Sequence, residues 1–213
     1  MAPAPTFDAD FRTRLRDLLV WRRDVRRFRR DPLPSETVVR LIELATLAPS
    51  VGLSQPWRFV LVESAQRRVG IRADFARCNA AALAAQAPER QQIYARLKLA
   101  GLDDAPCQLA VFSDAATEQG SGLGRLTMPE TSEYSAVMAV HTLWLAARAE
   151  GIGMGWVSIL DPTAVTAILE VPPEWRLIGY FCLGYPAEPD DTPALERAGW
   201  ERRRPVESFM IRR

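Results

Sequence analysis

Leu143-Trp144-Leu145-Ala146-Ala147-Arg148-Ala149-Glu150-Gly151-Ile152-Gly153-Met154-Gly155-Trp156-Val157-Ser158 is one passage from a helix into a strand. Upstream, the helical pattern reaches back to about residue 131. Tyr134, Val137, Met138, His141, Leu145 and, one row over, Leu143 and Trp144 make it apolar round most of its circumference, which predicts a central, buried helix. His141 is then a packed, hydrogen-bonded core residue. Gly151 suits the left-handed position that ends such a helix. Residues 152–160 follow as a strand, and three glycines with a tryptophan at its mouth imply close approach by another group.

Working outward, Asp161-Pro162 opens a short helix to Leu169, and 175–185 is a last long apolar strand. Residues 58–62 have the β-branched and apolar density of a buried strand, and 109–112, introduced by Pro106, is another. From 65 to about 99 the chain is alanine-rich and helical, broken near Pro88. Two helices with such a break, spanning roughly 77–100, suit either a mobile cover or a plain surface hairpin. Asp8 caps a helix with Phe11, Leu15, Leu18 and Leu19 on one face. Ser35 is the expected cap of a second, carrying Val38, Val39, Leu41, Ile42, Ala45 and Leu47 and ending near Pro49. Gly120-Ser121-Gly122-Leu123-Gly124 looks like a phosphate loop but opens no helix and lacks the Gly-Lys-Ser/Thr that follows one, so it reads as a flexible loop.

The 213 residues suffice for one domain, 1–213, with a polar, proline-rich C-terminal arm over about 186–213 that is expected to wrap a partner subunit. A net charge of +1 argues against a broad nucleic-acid surface. Cys78, Cys107 and Cys182 are odd in number and widely spaced, as reduced thiols are. His141 is the sole histidine, so a His/Cys metal site has little raw material. No apolar run has the roughly 18–20 residues needed to span a bilayer. The expectation is a soluble, cytoplasmic protein without a signal peptide.

Chemistry concentrates in Arg22-Arg23-Asp24-Val25-Arg26-Arg27, where four of the five neighbours of one carboxylate are arginines. Planar, permanently charged guanidinium groups match phosphate oxygens, so the run predicts a site for a phosphorylated ligand. Ala48-Pro49-Ser50-Val51-Gly52-Leu53-Ser54-Gln55-Pro56-Trp57 is a loop with small residues and free backbone groups that a flat ligand can approach.

Four pieces, namely Arg22-Arg23-Asp24-Val25-Arg26, Ala48 to Gly52 with Gln55-Pro56-Trp57, the 143–158 block, and Gly199-Trp200 with Arg203, together resemble the nitroreductase-like flavoproteins. Within them the chain is similar to the 5,6-dimethylbenzimidazole synthase branch, which fragments its flavin. The likeness spans about 8–205. It implies an α+β fold: a sandwich around a central mixed or antiparallel sheet, helices on both faces, the arm reaching a partner, and a homodimer with FMN at the interface. It further implies that reduced FMN reacts with O2 to give 5,6-dimethylbenzimidazole, the lower ligand of vitamin B12, and erythrose 4-phosphate. NAD(P)H or a separate flavin reductase is the implied source of electrons.

By position, Arg22, Arg23 and Arg26 are expected to hold the FMN phosphate and the flavin's polar edge, with Arg203 reaching a phosphate, in one arrangement from across the interface. Val25, Ser50 and Gln55 are expected at the flavin, Lys98 and Leu99 in the cover, and Gly155, Trp156, Val157 and Ser158 along the ring. Asp24 and Ser158 match the positions associated with flavin destruction. A carboxylate is the natural base near the ribityl C1′, although surrounding arginines favour its ionised form and leave an orienting role open. Ser158 is a hydrogen-bond donor to a charge-developing oxygen or to flavin N5. Arg204 and residues 128–133 depart from the family pattern and bear on tail packing and the entrance. An NAD(P)H-dependent reductase that keeps its FMN and a non-catalytic FMN carrier are the alternatives.

Overall fold

Cys107–Ser113 (β2) and Arg176–Gly184 (β4) pair at the centre of the sheet, β2 buried from Gln108 onward and β4 from Gly179 onward. The computed structural model describes residues 4–188 and 190–213. Trp57–Leu61 (β1) pairs with β2 and Gly153–Val157 (β3) with β4, giving the order β1-β2-β4-β3 with every pair antiparallel. Being an edge strand, β1 is largely half-buried, not the fully buried strand its composition predicts.

Seven helices are described: Ala9–Trp21 (α1), Ser35–Ala45 (α2), Ala65–Ala84 (α3), Pro88–Arg96 (α4), Thr131–Ala149 (α5), Pro162–Leu169 (α6) and Ala194–Arg197 (α7). The period-two alternation of β4 serves both faces of the sheet. Phe181 and Leu183 pack with Leu41 and Ala45 of α2 and with Val140, Leu143 and Ala147 of α5. Tyr180 and Cys182 pack with Ile71 of α3 and with Val165 and Leu169 of α6. Helices thus cover both faces of an α+β sandwich, as expected. The buried Tyr180 hydroxyl donates to Gln108 Oε1 at 2.7 Å, and Gln108 Nε2 donates to the Leu102 carbonyl at 2.9 Å, so this polar chain is satisfied inside the core.

Two expectations need correction. Only part of α5 is buried: Ser135, Ala136, Ala139, Val140, Leu143 and Ala147 face inward, while Tyr134, Val137, Met138 and His141 form an outward stripe. Alanines let the helix axis approach the sheet closely, so the small-residue stripe turns in and the bulkier apolar one is left open. His141 is therefore exposed in the protomer and is not a core residue. On α1 Asp8 caps the helix as expected, accepting from the Phe11 amide at 2.7 Å, and the row Phe11, Leu15 and Leu19 is exposed, with no α1 residue buried. Finally, Pro34 and not Ser35 occupies the cap position of α2, which ends at Ala45 and leaves Val39 and Leu47 exposed. Among the described residues no helix is long and apolar enough to cross a membrane.

Candidate functional site

Beyond α1 the chain turns extended at Arg22, and the basic run becomes a short outer neighbour of β3. The Val25 amide donates to the Met154 carbonyl at 3.0 Å, and Asp24 forms a parallel bridge with Met154. The glycines of β3 make this possible. A Cβ at Gly155 would lie 2.0 Å from the Val25 carbonyl oxygen, and one at Gly153 2.8 Å from a Val25 methyl. Close approach by another group, expected from the glycines alone, is approach by this chain's own basic segment.

Asp24 is held by both oxygens. The Trp156 amide donates to Oδ1 at 2.8 Å and Arg26 Nε donates to Oδ2 at 2.6 Å. Arg26 also donates to the Lys98 carbonyl at 3.0 Å, which joins the segment after α4 to the run. Arg22 stacks over the Trp144 ring at 4.9 Å, and Arg23 Nε donates to the Asp191 carbonyl at 2.6 Å. Lys98 Nζ pairs with Asp104 at 3.2 Å and holds that carboxyl below its usual range. Leu99 is half-buried beside it.

Two adjoining clefts flank the run. The smaller, about 180 Å³, is lined by Arg22, Arg23, Arg26 and Arg203 with Asp24 among them. The larger, about 260 Å³, adds Arg96, Lys98, Trp144 and Met154. Burial lowers the Arg22 guanidinium from its ordinary value, Asp24 offsetting this and Arg203 adding to it. Burial, then Arg203 and Arg22, lower Arg23 in the same way. Half-buried Arg22 and Arg23, repelled by the exposed Arg203 across the cleft, fit a phosphate, whose negative charge relieves the repulsion and whose oxygens accept from each fork. Arg203 reaches this cleft from the same chain. Ser158 directly follows β3, is exposed, and stands two residues beyond the amide that binds Asp24. Gly155, Trp156 and Val157 lead to it past the larger cleft, which β3 lines at Gly153 and Met154.

Ser50 and Gln55 are elsewhere. Their loop is a tight turn with Leu53 and Gln55 at positive φ of 54° and 44°, conformations that cost a non-glycine residue energy and occur at functional sites. It is held by the Gln55 amide donating to Ser50 Oγ at 3.1 Å, the Val51 amide to Ser135 Oγ at 3.0 Å, and Gln119 Nε2 to Gln55 Oε1 at 3.0 Å. The loop enters β1, at the opposite edge of the sheet from Asp24. Four inter-strand steps amount to roughly 19 Å. Within one chain the structure therefore unites the arginines, Asp24 and Lys98 but not Ser50 or Gln55.

Sequence reasoning missed Arg96, the stacking role of Trp144 and the part played by α7, whose Ala194 lines both clefts. Trp144 looked like an ordinary core position because helical periodicity does not report what stacks on an indole. The four residues of α7 are too few to show a period.

A model of the Nitroreductase family matches residues 19–185. A 5,6-dimethylbenzimidazole synthase of Rhodospirillum rubrum is 62% identical over 205 residues, covering 96% of this chain and 97% of that protein. One of Rhodobacter capsulatus is 48% identical over 201 residues, covering 94% and 97% respectively. A crystal structure of oxidized iodotyrosine deiodinase bound to FMN and 3-iodo-L-tyrosine matches with a TM-score of 0.70 at 28% identity, over 83% of this chain and 91% of that one.

Proposed function

The chain belongs to the nitroreductase family, and from that footing we propose that it catalyses the oxygen-dependent fragmentation of reduced FMN to 5,6-dimethylbenzimidazole and erythrose 4-phosphate. One observation carries this: in a chain 62% identical to a 5,6-dimethylbenzimidazole synthase, the Asp24 carboxylate stands inside an arginine-lined cleft, anchored through Trp156 and Arg26. The bound flavin supplies both the carbon skeleton and the electrons, and O2 is the oxidant. NAD(P)H, directly or through a separate flavin reductase, reduces each incoming FMN, since the flavin is consumed in every turnover.

Arg22, Arg23, Arg26 and Arg203 hold the phosphate. Asp24 has two lone-pair directions left after its two hydrogen bonds, enough to orient the ribityl chain or accept a proton at C1′. Its fixed oxygens need no reorganisation for that step. Ser158 donates a hydrogen bond at the ring's polar edge, and Gly155, Trp156 and Val157 line the ring. Lys98 and Leu99 cover it. Ser50 and Gln55 come from a second copy of the chain, because they lie at the far edge of the sheet from their own arginines. The outward apolar stripes of α1 and α5 give a homodimer the apolar surface it would bury.

The test is to give the purified protein FMN, a reductant and O2 and to look for 5,6-dimethylbenzimidazole by mass. FMN recovered intact after many cycles of NAD(P)H oxidation identifies a reductase instead, and flavin binding with neither product nor turnover identifies a carrier.

A further inference from the structure

Trp200 lines neither cleft, yet it touches the elements that wall both. Arg90 stacks over its ring at 4.9 Å, and the Tyr94 ring meets it at 6.1 Å and 63°. Both partners belong to α4, which runs directly into the cleft-lining residues Arg96, Leu97 and Lys98. On its other side Trp200 is fixed to α7. Its amide donates to the Leu195 carbonyl at 2.9 Å across Gly199, whose φ of +71° ends the helix in the left-handed conformation. Ala194 at the start of α7 lines both clefts, and Arg203, three residues past Trp200, lines the smaller.

The cover needs such a tether. α4 has nine residues and buries only Tyr94, whose hydroxyl donates to Asn79 of α3 at 2.9 Å. A helix that short is not stable by itself in water, and few buried contacts place it at the low-stability end of the structure. The indole is its aromatic link to the arm.

We propose that Trp200 is a positioning residue that holds the cover and the Arg203 arm in one arrangement, so that Lys98 and Arg203 face the flavin site together. This rests on the flavin reading above. Hydrogen exchange on the full-length chain tests it in Trp200→Leu, Trp200→Phe and Arg90→Met. An aromatic pair and a cation–π contact together support about a tenfold effect. Amides over 89–98 are expected to exchange about tenfold faster in Trp200→Leu, with β2 and β4 protected as before. FMN affinity should fall about tenfold, and KM for reduced FMN should rise while kcat stays within about twofold. Arg90→Met should show a smaller shift in the same direction, and Trp200→Phe should be close to the wild type. Unchanged exchange over 89–98 in Trp200→Leu, or a rise shared with β2 and β4, overturns the proposal. A wild-type chain that binds no FMN overturns the flavin reading, and the exchange pattern still decides whether Trp200 tethers the cover.

Discussion

Asp24 concentrates the residue-scale chemistry. In Asp24→Asn the amide oxygen still accepts from the Trp156 amide, so the run keeps its place on β3, but the negative charge and the basic oxygen facing Arg26 are gone. We expect bound FMN per chain to stay near the wild-type level while product falls by at least about 100-fold, the lower range for a lost acid–base group. Flavin titration and product mass measure the two separately, and loss of binding as the main defect would assign Asp24 to holding Arg26. A second residue-scale prediction concerns pH. The Lys98 hydrogen bond holds Asp104 below the ordinary carboxylate value. A group lowered in the fold contributes its stabilisation above the unfolded value, about 3.9, and loses it as pH falls through the lowered one. The Lys98–Asp104 tether should therefore be complete from pH 5 upward, on the ordinary reference value, and fail only in stronger acid. In Lys98→Met the Asp104 carboxyl, followed by NMR, should titrate closer to its ordinary range.

At the scale of elements, β3 depends on glycine for what it accepts at its edge. A methyl at Gly155 would meet the Val25 carbonyl, and a backbone atom cannot swing aside as a side-chain end can. Gly155→Ala should push the basic run off β3, abolish the Trp156-to-Asp24 bond and weaken FMN binding by at least about tenfold, since a charge-assisted hydrogen bond is worth about 1.5–3 kcal/mol. The core faces of β3 and β4 should survive, so equilibrium dialysis with FMN and the exchange rate of the Val25 amide are the measurements. A fast Val25 amide with intact flavin binding would remove the run from the site. In the core, Leu143 is fully buried against the sheet, and Leu143→Ala should cost about 2–5 kcal/mol in a denaturant melt.

For the whole molecule, the split between the arginine cleft and the Ser50–Gln55 loop makes a test by complementation. Pairing an Arg22→Ala chain with a Gln55→Ala chain creates one site with both defects and one with none if the site spans two copies. The mixed dimer should then bind FMN at about half the wild-type stoichiometry, while either variant alone binds weakly. If each site lay within one chain, no mixed dimer would regain an intact one. Much of this was legible in the sequence because it is local. Asp8, Pro88, Gly151 and Pro162 punctuate the helices through backbone conformations and caps that depend on near neighbours. The arginine run advertises an anion site by composition, and the glycines of 151–155 advertise close packing. What local pattern cannot carry is which surface a residue meets. His141 was expected in the core because periodicity finds an apolar stripe without saying whether a sheet or solvent lies opposite it. That Arg22, Arg26 and Arg203 share a cleft, that Val25 is the group crowding Gly155, and that Ser50 sits a sheet's width away were decided only by the tertiary structure. Contacts between residues more than a hundred positions apart depend on strand order and chain path, and no run of neighbouring residues encodes them.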